Sequence, residues 1–93
     1  MREKTLEALL AQTVKSMGGF APKFISPGFD GMPDRIVLLP HGKMAFIEVK
    51  AHGKKQRPLQ VRRKSQLESL SFSVYCLDDA TQIGEMLDEI QSI

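Results

Sequence analysis

Residues 35–51 constrain this chain more than any other stretch. Arg35-Ile-Val-Leu-Leu39 and Lys43-Met-Ala-Phe-Ile-Glu-Val-Lys-Ala51 are two strand-forming runs separated only by Pro40-His41-Gly42. Three residues of that kind suit a hairpin loop, with Pro setting the first turn position and Gly taking the left-handed one. Leu39 then faces Lys43, and the same register carries Asp34 directly across from Glu48. Paired side chains share a face of the sheet, and Lys50, two residues beyond Glu48, shares it too. Two apolar strands therefore carry two acids and a lysine at one end.

Around the hairpin the chain reads as one domain spanning all 93 residues. At 100° per residue, Leu6, Leu9, Leu10, Thr13, Val14 and Met17 fill one arc, predicting a helix over 3–17 that Gly18-Gly19 ends. Glu3 falls inside that arc and Glu7 at its edge. Phe20–Ile25 is expected as a short strand, followed by a turn-rich loop, Ser26-Pro-Gly-Phe-Asp-Gly-Met-Pro33. Pro58 suits the first position of a helix running to about Leu70. Residues 72–77 read as a strand, and Asp79 with Gln82 resembles a capping box ahead of a helix with the stripe Ile83, Met86, Leu87, Ile90. The order α-β-β-β-α-β-α predicts a small α/β sandwich around one mixed sheet.

Charge is distributed unevenly. The total is only +2, yet residues 1–64 hold all 13 Lys and Arg with five acids, and residues 65–93 hold six acids and no Lys or Arg. Seven basic residues lie between Lys50 and Lys64 without an acid among them. Such a block is the footprint expected for phosphate contacts, although a solvated basic face has the same composition. A single cysteine, Cys76, leaves no internal disulfide and points to a reducing compartment such as the cytoplasm. It reads as a small core residue of the last strand. The apolar runs are too short to span a membrane, and the N-terminus has no signal-peptide pattern. A chain this small cannot enclose a large pocket, so its substrate is expected to be gripped from outside.

The acids at the hairpin end supply the candidate chemistry. Carboxylates placed opposite each other repel unless positive charge sits between them. Lys50 supplies part of that charge. A divalent cation would supply more, since Mg²⁺ is commonly held by one or two carboxylates together with water and phosphate oxygens. A surface hairpin with a Glu/Lys pair would show the same spacing without binding anything.

Gly31-Met-Pro-Asp-Arg35, Phe46-Ile-Glu-Val-Lys-Ala51, Pro58-Leu-Gln60 and the preceding Lys23-Phe24 together resemble the VRR-NUC (virus-type replication-repair nuclease) family. That family belongs to the PD-(D/E)XK nuclease superfamily, so the resemblance implies a restriction-endonuclease-like fold. It also implies that Asp34, Glu48 and the Val49 carbonyl hold Mg²⁺ or Mn²⁺, with an acid of the first helix completing the site. Glu3 is the favoured acid because a carboxylate in an apolar arc needs a partner, and Glu7 is the alternative. Lys50 would position and help deprotonate the attacking water, while Gln60 would orient the water, the lysine or a phosphate. Lys23, Lys54, Lys55, Arg57, Arg62 and Arg63 are the candidate nucleic-acid contacts; Arg63 could equally cover apolar neighbours with its stem. His52 is expected to be a solvated loop residue, and Phe29 to pack.

The expectation is thus an Mg²⁺- or Mn²⁺-dependent DNA endonuclease that recognises shape rather than sequence and leaves 5′-phosphate and 3′-hydroxyl ends. Branched DNA such as a four-way (Holliday) junction and a homodimer follow from the resemblance to stand-alone domains of the family, in a DNA-repair setting. A catalytically silent binding module or partner-dependent subunit is the rival, and an RNA or single-strand nuclease a second one. Retention of Asp34, Glu48 and Lys50 favours the enzyme.

Overall fold

A computed structural model describes all 93 residues. Helix α1 spans Glu3–Ser16, strand β1 Arg35–Leu39, strand β2 Lys43–Val49, helix α2 Pro58–Ser69, strand β3 Val74–Leu77 and helix α3 Ile83–Gln91. The sheet order is β1-β2-β3, with β1 and β2 antiparallel and β2 and β3 parallel. An antiparallel pair can be joined by a tight turn, whereas a parallel pair needs a crossover, which α2 provides. The mixed α/β sandwich expected from the sequence is the observed fold.

The hairpin has the expected register. Leu39 pairs with Lys43 and Arg35 with Ile47. Its tip is a one-turn 3₁₀ segment, Pro40–Gly42, in which His41 as well as Gly42 adopts the left-handed conformation, at φ 69° and 71°. Turn residues with positive φ match the twist of the strands they join.

Phe20–Ile25 departs from expectation. It runs antiparallel along β1 but forms only isolated bridges, Phe20 with Leu38 and Lys23 with Arg35. Pro22 is the reason, because it has no N–H to give to a ladder. Its carbonyl still accepts from the Ile36 amide at 3.1 Å, and Phe20 and Leu38 exchange two hydrogen bonds at 3.0 Å. The segment therefore covers the free edge of β1. Gly19 is required beside it: a Cβ there would lie 2.0 Å from the Leu38 carbonyl oxygen.

The two faces of the sheet differ. Val37, Leu39, Ala45, Ile47, Val49 and Leu77 point to one side, where Leu6, Leu10 and Val14 of α1 and Ile83, Met86, Leu87 and Ile90 of α3 complete a single buried cluster. Both helices bury the stripes predicted for them. Gln82 accepts from the amides of Asp78 and Asp79, and Asp79 accepts from the Thr81 amide, so the predicted cap forms ahead of α3. On the opposite side lie Ile36, Phe46, Val74 and, at one end, Asp34 and Glu48. Only α2 covers this side, and its one buried residue is Gln60. Leu59 and Leu70 remain exposed and Leu67 half-buried, so the leucines of α2 do not enter a core. Edge-to-face contacts of Phe46 with Phe24 and Phe72, each at 5.8 Å between centroids, fill part of the gap.

Candidate active site

Glu48 is the centre of the arrangement. It belongs to β2, the middle strand, where its alternation with Ile47 and Val49 turns it away from the apolar cluster. It is nevertheless only 3% exposed. Its Oε1 accepts a hydrogen bond from Gln60 Nε2 at 2.9 Å and lies 3.9 Å from Lys50 Nζ. Burial, and then the negative charge of Asp34, push its pKa from the usual 4.5 to about 7, against the opposing pull of Lys50 and Arg57.

Asp34 enters from the other strand of the hairpin. The Val49 amide donates to its Oδ1 at 3.2 Å, so the backbone beside Glu48 fixes the second carboxylate. Its pKa is also raised, chiefly by burial; the Val49 hydrogen bond opposes this, and Glu7 and Glu3 add to the repulsion. Val49 thus contributes through its N–H to Asp34.

These residues fit a hard divalent cation in one specific respect. Glu48 Oε2 and Asp34 Oδ2 accept no hydrogen bond from the protein, and no fully buried side-chain polar atom lacks a partner. Each carboxylate therefore keeps one oxygen that reaches solvent, beside a like charge that raises the cost of leaving both bare. That donor set suits Mg²⁺ or Mn²⁺, with water and phosphate supplying the other oxygens.

The third acid is not gathered in. No group of three or more Asp, Glu, His or Cys side chains is close enough to hold one ion. Glu3, the first residue of α1, is exposed, and burial on that helix begins at Leu6. It remains near enough to raise the pKa of both carboxylates. Glu7, half-buried, is committed elsewhere: its Oε1 accepts from Arg35 Nε at 3.0 Å, while Arg35 Nη1 donates to the Ala21 carbonyl at 2.7 Å.

Gln60 holds Glu48 instead of facing outward towards water or phosphate. Its Oε1 accepts from the Arg57 amide at 2.8 Å, so the first turn of α2 and the buried acid are tied by one side chain. The basic residues divide into two sets. Lys23, Lys54, Lys55, Arg57 and Arg62 are exposed and carry no side-chain hydrogen bond or ion pair. Arg63 is occupied: its Nε donates to the Asp30 carbonyl at 2.8 Å, Nη1 donates to Gln66 at 2.9 Å, and its guanidinium lies 3.9 Å from the Phe29 ring centre. His52 is a solvent-exposed loop residue, as expected, with its Nδ1 3.5 Å from Asp79 Oδ2. Cys76 pairs in register with Glu48, on the site side of β3 rather than in the apolar cluster. Strand β3 is too short and irregular in pattern for the sequence to have fixed that register.

A paired-carboxylate site on a central strand, with a lysine and a glutamine converging on the buried acid, is the kind of site nucleases carry. Comparison with known proteins agrees. Residues of this chain are 46% identical over 78 positions, 84% of each chain, to "Putative nuclease p44" of Acyrthosiphon pisum secondary endosymbiont phage 1. A solved structure described as a VRR_NUC domain superposes with a TM-score of 0.86 at 25% identity, covering 92% of this chain and 94% of that one. No family model matches the sequence. The chain belongs to the VRR-NUC nuclease family.

Proposed function

We propose that this nuclease is a divalent-metal-dependent DNA endonuclease acting on branched DNA, with Asp34 and Glu48 as the metal-holding pair. The observation that carries the reading is the pair itself: two carboxylates with raised pKa, each with one oxygen open to solvent, on adjacent strands. A divalent cation between them would supply Lewis acidity at the scissile phosphate and neutralise charge as it develops. Gln60 keeps Glu48 in one orientation, and the Val49 amide does the same for Asp34. Lys50, 16% exposed at its side chain, orients the attacking water and offsets the added negative charge of the five-coordinate transition state. Glu3, exposed and close enough to raise the pKa of both carboxylates, is the candidate third acid.

The substrate reading rests on surface chemistry. Lys23, Lys54, Lys55, Arg57 and Arg62 are free to meet phosphates, contacts that position a protein on nucleic acid without reading its sequence. The site is an open face, suited to a substrate that presents its own shape. A single chain offers one such site, so cutting both strands of a junction requires a second copy. Exposed Phe20, Leu70 and Phe72 provide apolar surface of the kind partners cover.

The test is cleavage of four-way junction, flap, duplex and single-stranded DNA with Mg²⁺, Mn²⁺ or EDTA, by wild type and Asp34→Asn. Junction cleavage by wild type alone, lost in EDTA, is the expected result. Equal cleavage by both proteins, or none by either, removes the catalytic assignment. Sedimentation at the working concentration tests the dimer, and a junction-cutting monomer defeats it.

A further inference from the structure

Arg63 belongs to the basic block but does not behave as a free cation. Its guanidinium is held on three sides at once: by the Asp30 carbonyl, by Gln66, and by the face of Phe29. The loop it grips, residues 26–33, leads through buried Pro33 straight into Asp34. Gly31 of that loop has φ +88° and lies against α2 so closely that a Cβ would sit 2.6 Å from Leu59 Cγ and 3.1 Å from the Leu59 carbonyl oxygen. Leu59 is next to Gln60, which holds Glu48.

We propose that Arg63 is a positioning residue: it clamps the Asp34-bearing loop onto α2, so that one helix sets the placement of both carboxylates. This rests on the proposed metal-holding role of Asp34 and Glu48. The physical case is one of reach and preorganisation. The Asp34 side chain has a single backbone hydrogen bond, from Val49, on its β2 side. On its other side it follows a loop rich in Gly and Pro that has little packing of its own, with Phe29 and Asp30 exposed. A guanidinium that satisfies a main-chain carbonyl, a side-chain amide and an aromatic face together removes the freedom that such a loop would otherwise have. Lysine offers a point charge in place of that fork and plane, so it cannot make the three contacts together. Loose placement of a catalytic group by as little as 1 Å costs about a hundredfold in rate.

The experiment uses the full chain and the variants Arg63→Lys, Arg63→Ala and Phe29→Leu. Amide hydrogen exchange on metal-free protein is read at residues 26–34 and at Val49; junction cleavage is read as kcat, KM and half-saturating Mg²⁺; and DNA affinity is read against salt in Ca²⁺. Faster exchange at 26–34 and Val49 in Arg63→Lys, a 10- to 100-fold lower kcat, a higher Mg²⁺ requirement and an unchanged salt slope are expected. Unchanged exchange, together with a slope of log affinity against log salt reduced by about one, assigns Arg63 to a phosphate and overturns the clamp. Full activity in Arg63→Lys also overturns it, since charge alone then suffices. If Arg63→Ala unfolds, Arg63→Lys and Phe29→Leu still decide. The exchange measurement does not depend on activity, so loosening of the loop in a protein that cuts no substrate would fail the nuclease site and leave the clamp standing.

Discussion

The two faces of the sheet are made by alternate residues of the same strands and have opposite physical characters. Ala45, Ile47 and Val49 are sealed beneath α1 and α3 in the apolar cluster, and the charged groups on that side, Glu7 and Arg35, are half-buried and paired with each other. Phe46 and Glu48, one position away in each case, lie under a helix that buries nothing but Gln60. The first face carries the free energy of folding, and the second carries the groups whose burial costs free energy. One central strand thus allows a small chain to place repelling carboxylates without unfolding, because their cost is offset on the far side of the same backbone.

The largest break in that comparison is chemical. Asp34→Asn or Glu48→Gln is expected to lower junction cleavage by on the order of a thousandfold, since each removes a negative charge that would hold the cation at the scissile phosphate. Thermal unfolding of the same proteins checks that the sealed face is intact, and neither variant is expected to melt below wild type.

The reciprocal break comes next. Leu10→Ala empties a fully buried position beneath the sheet and is expected to cost about 3 kcal/mol. For a domain of this size that is roughly 12–24 °C in Tm. Leu70→Ala, at a position 69% exposed on the other side, is expected to move the melting temperature by less than about 3 °C. Equal losses from the two would end the distinction between the faces.

A smaller effect separates the faces by pH. The folded-state pKa of Glu48 lies above its unfolded value, so the folded chain holds that proton more tightly. Its contribution to stability is complete below about pH 4.5 and is lost as pH rises through about 7. The loss is at most about 3 kcal/mol for a shift of this size. Denaturant unfolding of the metal-free protein between pH 4 and 8 should show this decline, and Glu48→Gln should flatten it while ending cleavage. A variant with the same slope as wild type would show that Glu48 is ionised at little cost.

The smallest change concerns the rim. Lys54→Ala with Lys55→Ala is expected to weaken DNA binding severalfold and to reduce the salt slope by about two, leaving Tm and kcat at saturating DNA unchanged. Binding titrations at four salt concentrations measure it.

What the sequence disclosed follows the same division. The hairpin register, and with it the pairing of Asp34 with Glu48, was legible because a three-residue Pro-His-Gly turn leaves one register open. The stripes of α1 and α3 were legible because their period matches the face they bury. The site side was harder to read. Leu59, Leu67 and Leu70 have helical spacing, yet none of them is fully buried, and the one buried residue of α2 is the polar Gln60. Arg63 read as either a phosphate contact or a stem over apolar neighbours; its hold on the Asp30 carbonyl was not legible, because that partner lies 33 residues away and any residue could supply a carbonyl. Pro22 broke the strand expected at residues 20–25, which forms only isolated bridges along β1. Glu3 sat in the apolar arc by angle, but angle does not say at which turn of a helix burial begins, and here it begins at Leu6.

The short turn between β1 and β2 has a kinetic consequence. Asp34 and Glu48 are brought together by the most local pairing in the sheet, whereas the β2–β3 pairing waits on the α2 crossover that delivers Gln60 to Glu48. Contacts between near neighbours in the chain cost least in loop closure and tend to form first. Mutual repulsion of the two acids is therefore met early in folding, before the glutamine that steadies one of them is in place. Refolding is expected to quicken as pH falls from 8 to 6, and stopped-flow chevrons at the two pH values would measure how much of the barrier the site itself builds.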